Sequence, residues 1–338
     1  MKTAFVSGAA GFLGSHLVDE LLSRGYRVTG FDNLSQGNVR NLEKAFQSAH
    51  FEFHCGDVRD LNAMRRSVSS LDLVLHLAAF KIPRYGHATE TLLINSQGTH
   101  NALQLAIEHS AKFVITSTSD VYGKNPNLPF GEDDDSVLGP PTVSRWAYAA
   151  SKLFDEHLVL AMSAENNIPA TVIRIFGSYG PRQHLSWWGG PQSVFIDAVL
   201  NDRVIPIHGD GQQTRSFTFV ADTVRGITAV AESDRLDGQV INIGSNREIS
   251  ILQLAETIHQ LCDVDWPLRV EMVPYDQIAN RKYEDVRRRV PDIRKAQRVL
   301  NFEAHIPLEV GLRETIAWQR NLVRPAAVDH MMEGALQK

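Results

Sequence analysis

The stretch that most constrains this chain is residues 3–24, where TAFVS leads into GAAGFLG and then into the helix-periodic FLGSHLVDELLSR. A short β-branched apolar run reads as a buried strand, apolar residues at helical spacing read as a helix, and the glycines between them read as a tight turn. The alternation continues with candidate strands at 27–31 (RVTGF), 51–54 (FEFH), 72–77 (DLVLHL) and 112–116 (KFVIT), separated by helical patterns such as 91–108. Strands and helices in this order make a parallel sheet covered on both faces. The expected fold class is therefore α/β, a Rossmann-type doubly wound parallel sheet.

The 338 residues, 43% hydrophobic and 22% charged, are enough for a large core and exclude disorder and fibrous repeats. They leave room for two domains, or for one domain carrying a lobe. A formal charge of −5, from 34 basic and 39 acidic residues, gives no general attraction to nucleic acid or to an anionic membrane. Any phosphate site must be local. Cys55 and Cys262 are the two cysteines, with no C-x-x-C pair, so neither a disulfide framework nor a structural zinc site is expected and a reducing cytoplasm fits. The apolar run before Gly8 is too short for a signal-peptide core, and no later window reaches the length of a membrane span.

Gly8, Gly11 and Gly14 by themselves describe a strand-to-helix turn. Their context points further. They follow the first strand, open a helix whose free N–H groups favour a phosphate, and precede Asp32 at the end of the next strand. Together these features predict a dinucleotide site. A carboxylate at position 32 accepts hydrogen bonds from ribose hydroxyls and repels a 2′-phosphate, which predicts NAD rather than NADP. Position 33 is Asn, not Arg.

The G-x-x-G-x-x-G spacing, followed by Tyr148-Ala149-Ala150-Ser151-Lys152 and by Thr116-Ser117-Thr118-Ser119, resembles the short-chain dehydrogenase/reductase superfamily. Tyr and Lys at i, i+4 share a helix face, and an ammonium beside a phenol favours phenolate, a base able to take a sugar hydroxyl proton. Further segments resemble the extended branch, the nucleotide-sugar epimerases and dehydratases: Asp57-Val58, His76-Leu77-Ala78-Ala79, Asn95, Val121-Tyr122-Gly123 and Tyr179-Gly180-Pro181-Arg182. The resemblance runs from about residue 2 to about 320. It implies a cofactor site of Gly8, Gly11, Phe12, Leu13, Gly14, Asp32, Asn33, Asp57, Val58, Leu77, Ala78, Ala79, Lys81, Asn95, Thr116, Tyr148 and Lys152. It also implies catalytic roles for Tyr148, Lys152, Thr118, Ser119 and Asp120, with no metal.

The resemblance places the cofactor unit at 1–175 and a smaller C-terminal substrate-binding lobe at 176–325, with 209–245 partly returning to the first unit. Gly209-Asp210-Gly211-Gln212-Gln213-Thr214-Arg215 looks like the family's GDG-x-x-x-R loop, and Arg289 matches a second arginine. Substrate contacts are then Lys81, Thr118, Gln192, Arg215 and Arg289, a guanidinium fork being suited to a pyrophosphate. Asn242-Ile243-Gly244 reads either as the family's N-x-G signature at the sugar lobe or as a strand end before a turn. Trp187-Trp188 reads as a stacking surface for a ligand or as packing between lobes.

The shared first step in the family is hydride transfer from sugar carbon 4 to NAD⁺ as the tyrosine removes the hydroxyl proton. A 4-epimerase needs no further group. A 4,6-dehydratase uses Asp-Glu after the Thr, and Ser119-Asp120 lacks that acid. The UDP-glucuronate decarboxylases resemble this chain in Gly139-Pro140, in Arg145-Trp146-x-Tyr148 and from Asp285 to Pro291, with Ser-Glu where Ser119-Asp120 stands. Asp120 is thus a base, an anchor for the sugar, or a strand-end residue.

Gly177 in place of Asn, and Gln192 near a position aligned with Arg, count against decarboxylation. The expected activity is a UDP-sugar 4-epimerase, with UDP-glucuronate decarboxylase as the alternative. A non-catalytic NAD-binding scaffold would be expected to lack the Tyr or the Lys. The patterns at 91–108 and 147–164 resemble the helices of the family's homodimer bundle, although packing on the sheet also accounts for their apolar positions. The tail after about residue 321 reads as a loose end or a short helix.

Overall fold

The computed structural model describes residues 1–81, 87–277 and 284–323. The first part runs β1 (Thr3–Ser7), α1 (Phe12–Ser23), β2 (Arg27–Asp32), β3 (Phe51–Cys55), α2 (Leu61–Arg66), β4 (Leu73–His76), α3 (Ala88–His109), β5 (Lys112–Thr118), α4 (Trp146–Asn166) and β6 (Ala170–Ile175). The next part runs β7 (Ser178–Tyr179), α5 (Pro191–Leu200), β8 (Ile205–His208), β9 (Thr214–Ser216), β10 (Thr218–Phe219), α6 (Val220–Glu232) and β11 (Gln239–Ile243). The last elements are β12 (Glu248–Ser250), α7 (Ile251–Cys262), β13 (Val270–Val273), β14 (Arg288–Arg289), α8 (Arg294–Leu300) and α9 (Leu308–Val323).

Seven strands form one parallel sheet in the order β11-β6-β5-β4-β1-β2-β3. Successive side chains point to opposite faces, which sorts the core into two layers. Ala4, Val6, Leu75, Val114 and Ile173 pack with Leu17, Val18 and Leu21 of α1 and Val224 and Ile227 of α6. Phe5, Val74, Phe113, Ile115 and Val172 pack on the other face with Ala102 and Leu103 of α3 and Val159 of α4. The chain leaves β1 toward β2 on one side and returns to β4 on the other. That reversal opens a crevice at the carboxyl ends of the strands, the usual ligand position in such sheets.

All five strands expected from the sequence are present, and β5 continues to Thr118, two residues past its expected end. Three small sheets, β10-β7, β12-β9-β14 and β13-β8, complete the described strands. In the parallel pairing of β14 with β9, Arg289 lies opposite Arg215, so two arginines distant in sequence become neighbours.

Asn242 is the strand-end case of its two readings. It is buried in β11, accepts a hydrogen bond from the Tyr122 hydroxyl at 2.8 Å and donates to the Phe130 carbonyl at 2.9 Å, tying the sheet edge to the segment after β5. The tail at 324–338 lies outside the described residues.

Candidate active site

A cavity of about 950 Å³ opens at the crevice, lined by Gly8, Gly11, Phe12, Leu13, Gly14, Asp32, Asn33, Val58, Leu77, Ala78, Ala79 and Lys81. The glycines are required by close approach. Gly8 has φ +72°, and a Cβ there would lie 2.8 Å from the Ala78 nitrogen; a Cβ on Gly14 would lie 2.0 Å from the Gly8 carbonyl oxygen. No side chain caps α1, so its first-turn N–H groups remain available to an anion.

The Asp32 carboxylate accepts from Ala10 N at 3.0 Å and from Leu34 N at 2.8 Å, which fastens the glycine loop to the end of β2. Burial raises its pKa above the ordinary carboxylate value against those hydrogen bonds. Each oxygen keeps acceptor capacity for a ribose hydroxyl.

Three of the expected cofactor residues, Asp57, Asn95 and Lys152, line neither this cavity nor the one beside it and stand one layer back. Asp57 does not line the cavity; its carboxylate is held at a pKa of about 2, first by hydrogen bonding to Arg59, and it accepts from Asn33 Nδ2 at 3.3 Å, so it braces a lining residue. Asn95 is buried and clamps the backbone of Phe80 in both directions, at 2.7 and 3.2 Å, while donating to Ser151 Oγ at 2.9 Å. It thereby joins the loop after β4 to the helix carrying Tyr148. The glycine cradle, the uncapped helix and the buried acceptor at position 32 together fit a dinucleotide without a 2′-phosphate.

A second cavity of about 420 Å³ is lined by Thr116, Thr118, Ser119, Asp120, Tyr148, Gln192, Arg215 and Arg289, together with Arg145 and Asp285. Phe12, Leu13, Leu77, Ala79, Lys81 and Trp188 line both cavities, so the two meet along one wall. Thr118, at the end of β5, accepts from Asp120 N at 3.2 Å and is hydrogen-bonded to the Tyr148 phenol. Lys152, one turn further along α4, is buried and paired with Asp155 at 3.0 Å.

The expectation of a lowered phenol pKa is corrected for the cofactor-free chain. Burial first, then the charges of Asp120 and Asp155, push Tyr148 above its ordinary value, while the Thr118 hydrogen bond and Arg289 act in the opposite sense.

Beside the phenol, two carboxylates and three guanidinium groups alternate. Asp120 meets Arg289 at 2.7 Å and Arg145 at 3.2 Å; Asp285 meets Arg145 and Arg215 at 2.8 Å each. Burial opposes ionisation of Asp120, but Arg289, Arg145 and Arg215 together hold its pKa below the ordinary value. Burial lowers Arg289 to about 10, which leaves it charged at neutral pH. The cluster carries a net positive charge and suits an anionic ligand.

Arg145 and Asp285 were visible in the sequence only as matching letters. Asp155 follows from the helical stripe Tyr148, Lys152, Asp155 at i, i+4, i+7.

The two departures noted in the sequence have physical readings. Gly177 has φ +48°, and a Cβ there would lie 2.0 Å from the Ser216 carbonyl oxygen, so the approach of β9 requires glycine. Gln192 sits in the first turn of α5, buried against the cavity. Trp187 stacks on His208 with ring centroids 4.3 Å apart, and Trp188 meets Phe80 edge-on at 5.1 Å, so both indoles are engaged in packing as well as lining the cavity.

A Rossmann sheet with this glycine cradle, opening onto a tyrosine–lysine helix, defines a nicotinamide-dependent enzyme of the extended short-chain type. The sequence profile of the GDP-mannose 4,6 dehydratase family matches residues 5–315, and the chain belongs to that family of NAD-dependent, nucleotide-sugar-modifying enzymes.

The chain is 36% identical to the UDP-N-acetyl-alpha-D-glucosaminuronate decarboxylase of Bacillus cytotoxicus, over 95% of this chain and 98% of that one. It is 34% identical to UDP-glucuronic acid decarboxylase 1 of Xenopus tropicalis, over 94% and 72% of the two chains. The solved UDP-glucuronic acid 4-epimerase of Bacillus cereus, in complex with UDP-glucuronic acid and NAD, superposes with a TM-score of 0.81 at 28% identity, covering 95% of this chain and 99% of that one. No helix among the described residues is long and apolar enough to cross a membrane.

Proposed function

We propose that this protein is an NAD-dependent decarboxylase of a UDP-linked uronic acid. The observation that carries this reading is the Asp120–Arg289–Arg145 cluster beside Tyr148, which gives the sugar cavity a net positive charge next to the proton-transfer residue. The two decarboxylases matched over nearly the whole chain support it, and it displaces the 4-epimerase expectation. That expectation leaned on Gly177 and Gln192. The first of these is a backbone requirement, which removes much of its weight.

When bound, NAD supplies the hydride acceptor for sugar carbon 4. Gly8 to Gly14 and Asp32 hold its adenosine and pyrophosphate, and Lys152 serves its nicotinamide ribose. Thr118 and Tyr148 hold the carbon-4 hydroxyl, and Tyr148 takes its proton. Arg289 and Arg145 steady the uronate carboxylate, and Arg215 the diphosphate.

In the 4-keto sugar the carboxylate is β to a carbonyl. The bond to CO₂ breaks with its electron pair passing to carbon 5 and the keto oxygen as an enolate, which one proton from water at carbon 5 neutralises; Tyr148 keeps the proton it took and would give it back to the carbon-4 oxygen as the reduced cofactor returned the hydride. Asp120, ionised and held by its arginines, acts as an anchor in this scheme rather than as an acid.

The reading assigns cofactor binding to 1–175 and substrate binding mainly to 176–325. It also includes a homodimer through α3 and α4 and a reducing, cytoplasmic setting, which accords with free Cys55 and Cys262.

The test is incubation of the purified protein with NAD⁺ and, separately, UDP-glucuronate, UDP-N-acetylglucosaminuronate and UDP-glucose, with products read by mass spectrometry after anion-exchange separation. Loss of one CO₂ from a uronate supports the proposal. Unchanged mass at a shifted retention time would make the enzyme an epimerase, the reading favoured by the UDP-glucuronic acid 4-epimerase similarity.

A further inference from the structure

Tyr148, Lys152 and Asp155 form a stripe down one side of α4, and the last two make an ion pair of 3.0 Å with side chains 1% and 0% exposed. The second oxygen of Asp155 is also buried and has no hydrogen-bond partner. A buried ammonium without a counter-charge gives up its proton, because low-dielectric surroundings penalise the charged form. A half-satisfied buried carboxylate is itself costly, so its presence here calls for a compensating role.

We propose that Asp155 is a positioning residue for the tyrosine–lysine pair: its buried ion pair holds the Lys152 side chain in place along the α4 stripe, and its carboxylate is a fixed negative neighbour of Tyr148. This inference rests on the reading of Tyr148 as the base.

The other charged or titratable groups around this part of α4 are accounted for. Glu156, on the same helix, is committed to Arg174 of β6 and Ser117 of β5. Asp120, with Arg289 and Arg145, faces Tyr148 from the turn after β5. His76, at the end of β4, is buried and pushed down to about 3 by burial and by Lys152, so it stays neutral through the working range. From α3 the contact is Asn95, which does not titrate. Asp155 is thus the acidic group paired with Lys152.

Removing its charge takes a negative neighbour from Tyr148, which then ionises at lower pH.

The test compares wild type, the isosteric Asp155→Asn and the charge-retaining Asp155→Glu by two measurements. The first is a pH titration of the cofactor-free proteins followed by ¹³Cζ-tyrosine NMR, with the Tyr148 signal assigned by its loss in Tyr148→Phe. The second is the pH dependence of kcat with NAD⁺ and UDP-glucuronate.

The expected result is a Tyr148 midpoint and a kcat profile moved to lower pH by about one unit or more in Asp155→Asn, with Asp155→Glu returning both toward wild type. Lower kcat or melting temperature with unmoved midpoint and profile would reduce Asp155 to a packing role and overturn the inference, as would a shift to higher pH. If Tyr148→Phe turns over normally, the base assignment itself fails. An inactive Tyr148→Phe beside an unshifted Asp155→Asn rejects the Asp155 inference alone.

Discussion

Asp120 Oδ1 lies 2.7 Å from Arg289 Nη2, an ion pair that links the turn after β5 to β14 inside the cavity containing Tyr148. Both side chains are mostly buried, at 26% and 16% exposure, so each depends on the other for solvation. Removing Arg289 leaves Arg145 as the direct partner of Asp120 and takes one positive charge from the sugar cavity. Arg289→Gln is expected to lower kcat/KM for a UDP-uronate by about 10²-fold or more, with a smaller loss in Asp120→Asn. The double variant should be less impaired than the product of the two single losses, because the groups act as a unit. Steady-state kinetics on the four proteins measures this coupling, and strictly multiplicative losses would show that the pair is not functional.

Gly14→Ala places a methyl 2.0 Å from the Gly8 carbonyl oxygen and 2.9 Å from Ala9 Cα, both backbone atoms. Neither can yield without opening the cradle. The expected outcome is lost NAD binding together with about 2 kcal/mol or more of lost stability. Gly25→Ala is the control: Gly25 also has positive φ, +81°, but nothing lies within 4 Å of its added carbon. It should cost about 1 kcal/mol of backbone strain and leave NAD binding unchanged. Calorimetric titration and thermal melts separate the two cases.

Much of this arrangement was legible because it is local. The strand alternation, the glycine run and the i, i+4 spacing of Tyr148 and Lys152 each lie within one or two elements. Arg145 and Asp285 carried no such signal, because the contact between them depends on how β14 registers against β9. Asn242 stayed ambiguous for the same reason: its partners Tyr122 and Phe130 come from another part of the chain. Asp155 is different. Its place on the Tyr148 stripe was readable, but a carboxylate on a helix is ordinarily solvated, and only burial against the sheet makes it a partner for Lys152.

Two histidines make stability depend on pH. Burial lowers His16 from 6.5 to about 4, against a hydrogen bond to the Pro181 carbonyl, and burial lowers His76 to about 3. Below pH 6.5 the unfolded chain binds protons that the folded chain refuses, so stability falls as pH falls from 6.5 through these lower values. Each histidine contributes a slope of about 1.4 kcal/mol per pH unit within its window. Urea unfolding between about pH 6 and pH 4.5 should show this slope, and His16→Asn should reduce it by about one proton's worth. An unchanged slope in His16→Asn would mean that His16 titrates alike in both states.

Leu92 and Leu93 on α3 and Phe154 on α4 are 41%, 56% and 53% exposed, large apolar side chains on two helices packed against each other. Sheet packing explains the buried positions of these helices but not these three. A second copy covering the same pair of helices would remove all of them from water, contributing roughly 25 cal/mol for each Å² of apolar surface buried. Phe154→Glu places a charge in that contact, where desolvation is costly, while in a lone chain the same charge is solvated and nearly neutral for folding. Sedimentation velocity should therefore show wild type as a dimer and Phe154→Glu shifted to monomer, with the thermal melt of the monomer still cooperative. If both proteins sediment as monomers, α3 and α4 are not a self-association surface; if both sediment as dimers, the contact lies elsewhere on the molecule.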